Sequence, residues 1–156
     1  MAEFYPWLAF THIVGVVLFA ISHGVSAFVA FRVRGQRDPE VVAATLELSR
    51  LSTGPMYVGL LLLAVGGLGA AWIGDLFTAP WVLASIVVLV IVLGAMYSIA
   101  TPYYMRIRQA LAPDAQPRLT GDDLARMLDT RRPEILLLVG AVGLLILIWL
   151  MVLRPG

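Results

Sequence analysis

The chain has 156 residues, 60% of them hydrophobic and 13% charged, with a formal net charge of +1. Mean hydropathy is +0.90, whereas soluble chains carry roughly 25% charged residues, so the membrane rather than water is its natural solvent. Cysteine is absent, which removes disulfides, thiolate metal sites and cysteine nucleophiles, and the near-neutral charge gives no basis for nucleic-acid binding.

Four stretches free of Asp, Glu, Lys and Arg reach the length of about 20 apolar residues that a spanning helix needs. They cover residues 7–31, 54–73, 81–101 and 135–153. Their apolar runs are continuous rather than alternating, which favours helices over barrel strands. The expected fold is all-α: one polytopic membrane domain over residues 1–156, built as a four-helix bundle. The first stretch has no basic segment ahead of it, so it reads as a retained span rather than a cleaved signal.

All eleven basic residues are arginines. Arg32, Arg34, Arg37 and Arg50 follow the first span, and Arg106, Arg108, Arg118, Arg126, Arg131 and Arg132 follow the third. A four-span chain places both loops on one side. The positive-inside rule makes that side cytoplasmic and both termini outward, in the inner membrane of a bacterium. Tyr5, Trp7, Trp72, Trp81 and Trp149 cluster near the expected outer interface, and Tyr57, Tyr97, Tyr103 and Tyr104 near the inner one. Amphipathic rings favour headgroup depth.

Both inner loops carry helix signals. Asp38-Pro39-Glu40 reads as an N-cap, a first-turn proline and a dipole-matched acid. The segment after it puts Val41, Ala44, Leu48 and Leu51 on one face, as expected of a short amphipathic helix on the membrane surface. Thr120 with Asp123 reads as a capping-box start for another, through Asp129. Residues 112–117, with Pro113 and Pro117, read as a turn.

Lipid tails give helices no hydrophobic reason to associate, so small residues set the packing. Gly59, Gly66 and Ala70 share a face of the second span, Gly140 and Gly143 lie on the fourth, and Ala84, Gly94 and Ala95 on the third.

His12 and His23 are the two groups at membrane depth that can titrate near neutral pH. Eleven residues separate them, which is about 16 Å of rise and a return to within about 20° of the same direction. His12, Gly15, Val16, Phe19, His23, Ser26 and Ala30 therefore line one stripe. An ionisable residue at this depth is a functional-site candidate that faces the bundle interior. Neutral imidazole ligates iron, copper and zinc. The separation prevents both rings from serving one haem, so each needs a partner from another helix. His23 can pair with Met96, a combination used for haem iron. His12 has no comparable partner in its own chain and would leave iron five-coordinate or meet its twin across a homodimer. Interhelical hydrogen bonding is the alternative use of both rings. Met56, Met96 and Met105 would suit copper, and methionine is also an ordinary core filler. No acid lies near either histidine, so no Ser/His/acid triad can be drawn. No mid-membrane carboxylate or lysine supplies a proton or sodium relay.

The segment Trp7-Leu8-Ala9-Phe10-Thr11-His12-Ile13-Val14-Gly15, then Ser22-His23-Gly24-Val25-Ser26, precedes a basic linker and three further spans. This pattern resembles small bacterial membrane proteins of domain-of-unknown-function family 2269. More remotely it resembles the CopD-type copper-resistance membrane domain and the membrane protoporphyrinogen oxidases. The latter carry haem on a first-span histidine that His12 matches, together with a later-span lysine that this chain lacks. The copper resemblance implies transport or handling of copper.

The sequence thus points first to a module for b-type haem, with His12, His23 and Met96 as cofactor-binding residues and a role in electron transfer or haem-linked sensing. A second expectation is copper or other metal handling, or small-solute transport, with His12 and His23 as metal ligands. A third is an accessory subunit of a larger membrane complex. The lipid bilayer is the common partner. Whether the module turns over a substrate is left open.

Overall fold

The computed structural model describes residues 2–112, 114–116 and 120–155. Arg118 and the two turn prolines, Pro113 and Pro117, lie outside them. After a short 3-10 turn at Ala2–Phe4 come five helices: α1 (Tyr5–Arg32), α2 (Pro39–Ile73), α3 (Pro80–Ala110), α4 (Gly121–Leu128) and α5 (Arg132–Leu153). Among the described residues there is no strand. α1, α2, α3 and α5 contain the four apolar spans. Each of these four has a proline in its first two positions. Proline there forfeits only an N–H that would be unpaired anyway, and its fixed φ suits the helix.

The long helices overrun the bilayer. The 35 residues of α2 would extend about 52 Å at 1.5 Å per residue, against roughly 30 Å of hydrocarbon. The overrun lies at the arginine-rich end. It corrects one expectation: the segment containing Val41, Ala44, Leu48 and Leu51 is not a separate surface helix but the first turns of α2. Asp38 caps it, its carboxylate accepting from the Glu40 N–H at 2.9 Å. Nothing after Leu51 ends the helix, because Pro55 is absorbed within it. The other expected loop helix is present as α4. Its Thr120 hydroxyl accepts from the Asp123 N–H, and the Asp123 carboxylate accepts from the Thr120 N–H, both at 3.2 Å.

α1 packs along α2, α3 packs along α5, and α1 meets α5 over a short seam. The α1–α2 contact is backbone on backbone. A Cβ added at Gly59 would lie 2.6 Å from the Phe19 nitrogen, and Cβ atoms at Gly15 and Gly66 would run into the backbone of Leu63 and His12. Glycine is obligatory where two helices approach this closely, and the gain is dispersion rather than dehydration. The face of α2 that carries Gly59 and Gly66 is therefore occupied by α1. Around the spans, Phe10, Ile13, Ile21, Leu61, Val65, Val90, Ile91, Leu138 and Leu145 face outward, as lipid-facing side chains must.

The best-buried side chains are elsewhere. Val29, Ala30, Val33, Val42, Leu46, Tyr103, Ile107, Leu124 and Leu128 form one cluster from the ends of α1 and α3, the start of α2, and α4. Apart from Val29 and Ala30, at the end of the first apolar stretch, this core lies past the spans on the arginine-rich side, where the chain leaves the lipid and the hydrophobic effect operates. Leu124 and Leu128, one turn apart on α4, are fully buried. Arg34 ties the chain after α1 to the α4–α5 junction, at 2.7 Å from Glu134 and 3.2 Å from Asp129. The hydrogen bond to Glu134, then that to Asp129, holds the guanidinium above its ordinary pKa. At the opposite end Arg154, in the left-handed region at φ 46°, lies over the Trp81 ring at 5.5 Å.

Candidate functional site

The shared stripe on α1 does not give the two histidines a shared neighbour. His12 turns to α2. Its Nδ1 lies 2.8 Å from the Leu63 carbonyl oxygen, and a Cβ on Gly67 would fall 2.7 Å from that nitrogen. In α2 the Leu63 carbonyl already receives the Gly67 N–H. The missing side chain at Gly67 opens a path to its second lone pair. A carbonyl only accepts, so Nδ1 is the donor, and the neutral ring keeps its lone pair on Nε2. His12 thus has a partner within its own chain, and it is backbone.

His23 turns to α5. Phe19, one turn earlier, stacks on its ring at 6.0 Å and 7°. A Cβ on Gly140 would lie 3.4 Å from His23 Nε2 and 3.2 Å from Met96 Cε. The two side chains thus approach one point from α1 and α3, over the one residue type on α5 that leaves space for both. Met96 is buried. Among the described residues His23 has no hydrogen bond. His23 and Met96 thus both border the Gly140 position, and His12 stands apart from it. Met105 is exposed and Met56 half-buried, and neither borders the Gly140 point.

Tyr97 and Ser85, the latter a polar side chain within the third span, join neither histidine. Tyr97 is exposed, and Ser85 donates to the Trp81 carbonyl on its own helix at 2.7 Å. A polar cluster that the sequence did not single out lies one turn beyond His23. Ser26, Ser49 and Ser52 are linked at 3.0 Å (Ser26–Ser52) and 3.3 Å (Ser26–Ser49), and the Tyr104 hydroxyl donates to the Ser26 carbonyl at 2.8 Å. These bonds join α1, α2 and α3. The serines alone carried no signal, because their partners are distant in sequence.

Two cavities lie at the arginine-rich end. One, of about 380 Å³, is bounded by residues that include Leu46, Glu47, Arg50 and Arg108. The other, of about 80 Å³, lies between α3 and the α4–α5 junction. Neither is lined by His12, His23 or Met96. Among the described residues no three of His, Cys, Asp and Glu gather as a metal cluster. The soft donors that come together at membrane depth are thus one imidazole nitrogen and one thioether beside Gly140, with His12 Nε2 apart from them.

Neither the curated proteins nor the solved structures yield a match to this chain. The family model described as a predicted integral membrane protein, DUF2269, matches residues 6–155. With four apolar helices in place and nearly the whole chain matched, the protein belongs to that family of integral membrane proteins.

Proposed function

We propose that this integral membrane protein is a metal-handling module whose donors are His23 Nε2 and Met96 Sδ, with copper(I) as the ion. The observation that supports it is the convergence of these side chains, from different helices, on the space above Gly140. A neutral imidazole and a thioether form a soft, uncharged donor pair, which suits copper(I) better than zinc or magnesium. Met96 is buried and His23 partly so, and lipid rather than water surrounds a site at this depth. With no carboxylate in the spans, the role is to hold and pass the ion rather than to drive it with protons. The positive-inside rule orients the arginine-rich end toward the cytoplasm of a bacterial inner membrane.

A b-type haem is the second reading, favoured by the same His/Met pair. Its macrocycle fits less well, because His23 and Met96 already fill the space over Gly140. Lodging a flat group there requires the short α1–α5 seam to part, or a second copy of the chain to add walls. His12 donates its Nδ1–H to the Leu63 carbonyl, which leaves Nε2 available as a ligand atom, but among the described residues no second donor converges on it as Met96 does beside His23, so it is not part of the proposed pair.

The test is metal analysis and an ultraviolet–visible spectrum, oxidised and reduced, on protein purified in mild detergent. Copper(I) is then offered from a competing chelator. The expected result is about one copper per chain at a single site, lost in His23→Ala and Met96→Leu and kept in His12→Ala. A Soret band lost in His23→Ala would replace copper by haem. A colourless protein that takes neither sinks both readings, leaving an accessory subunit of a larger complex.

A further inference from the structure

The smaller cavity beside the water-side core is bounded by Tyr103, Arg106 and Ile107 of α3, Met127 of α4, and Thr130 and Arg132 at the α4–α5 junction. The Tyr103 hydroxyl and the Thr130 hydroxyl are buried without a hydrogen-bond partner among the described residues. Tyr103 is only 4% exposed. Native structures seldom leave such groups unpaired, and two around one cavity of about 80 Å³ call for an explanation. Neither Arg106 nor Arg132 has an ion pair among the described residues. The neighbouring acids are engaged elsewhere: Asp129 and Glu134 by Arg34, and Asp123 by Arg126. The polar lining is thus two hydroxyls free to donate and two cations, with no carboxylate.

We propose that this cavity is a binding site for a phosphate-type oxyanion, held inside by the hydroxyls of Tyr103 and Thr130 and at the rim by Arg106 and Arg132. Water in the same space would satisfy the hydroxyls and leave both guanidinium groups to solvent. A tetrahedral oxyanion satisfies all four, since charge-assisted hydrogen bonds from arginine to phosphate are among the strong ones. Depth makes a lipid source accessible. Tyr103 lies two residues past the apolar stretch 81–101, at headgroup level, so a phospholipid phosphodiester can reach the cavity from the bilayer and free phosphate can reach it from water. Because the walls come from α3, α4 and the start of α5, a bound anion would clamp the α4–α5 junction against α3.

Two arms separate the sources. In the first, the full chain in detergent is exchanged into phosphatidylglycerol or phosphatidylcholine, and retained lipid is read by native mass spectrometry. In the second, delipidated protein is titrated with sodium phosphate against sodium chloride at matched ionic strength, and thermal unfolding is followed. Preferential, saturable retention of phosphatidylglycerol assigns the lipid phosphodiester. Saturable stabilisation by phosphate assigns the free anion. Tyr103→Phe and Thr130→Val keep side-chain shape and should each weaken the response about tenfold, as loss of a charge-assisted hydrogen bond does. Arg106→Gln should weaken it as well. If Tyr103→Phe fails to fold by circular dichroism, Thr130→Val carries the same comparison. No selectivity in either arm overturns the site. So does an unchanged response in both hydroxyl variants, which would leave only diffuse arginine charge and a water-filled cavity.

Discussion

His12 on α1 and Gly67 on α2 act as a pair: the absence of a Cβ at Gly67 lets the imidazole reach the Leu63 carbonyl at 2.8 Å. Removing either half should have the same effect. His12→Leu is expected to lose roughly 0.6–1.7 kcal/mol, the range of interhelical hydrogen bonds in membranes. Gly67→Ala should lose a similar amount by displacing the ring. The double variant should be little worse than either single change, since both remove one interaction. Reversible unfolding in a mixed-detergent titration measures all three.

The glycines of α1 divide by what faces them. A Cβ at Gly15 would run into the backbone of Leu63, while a Cβ at Gly24 meets nothing within 4 Å. Gly15→Ala should therefore force α1 and α2 apart at a cost of about 1–3 kcal/mol. Gly24→Ala should be neutral or stabilising by up to about 1 kcal/mol, through helix propensity. The same titration distinguishes them, and equal effects would contradict the close approach at Gly15.

Arg34 bridges to Glu134 and Asp129, roughly a hundred positions away in the chain. All three groups are at least partly exposed, so solvent and salt screen the attraction. Arg34→Gln should lower the thermal midpoint modestly at low ionic strength, with the difference closing in high salt. A double-mutant cycle with Glu134→Gln should show coupling only at low salt. Coupling that survives high salt would mean that Arg34 acts through packing.

The Asp123 carboxyl is held below its ordinary pKa first by the Thr120 side-chain hydrogen bond, then by Arg126 and the Thr120 backbone. A depressed folded-state pKa contributes stability that is fully present above the unfolded value and lost as pH falls through the folded one. The start of α4 should therefore stay protected at neutral pH and loosen only in acid, below the ordinary carboxylate value. Amide hydrogen exchange across α4 should show this loss. Thr120→Ala should move it to higher pH, because the leading cause of the depression is then gone.

His23 and Met96 were legible as a pair in sequence because helical rise alone sets their depth. The partner of His12 was not legible, because a backbone carbonyl leaves no trace in residue identity and only Gly67 hints at the opening. The Ser26–Ser49–Ser52 cluster and the paired cavity hydroxyls of Tyr103 and Thr130 were hidden for a related reason. Each depends on how helices distant in sequence are rotated against one another.

Composition and arginine placement determined the four spans and the expected orientation, because lipid demands long uncharged helices and the loop charges collect on one side. Local chemistry determined the starts of α2 and α4, through Asp38 and Thr120. Whether the segment after Asp38 would stop before the membrane was decided by tertiary structure. Val42 and Leu46 are buried with α1, α3 and α4, and that burial favours one unbroken α2 running into water over a helix lying flat. Tertiary structure also sent His12 to α2 and His23 toward Met96 and Gly140. α1 lies between α2 and α5, and a single stripe on it meets different neighbours at different depths.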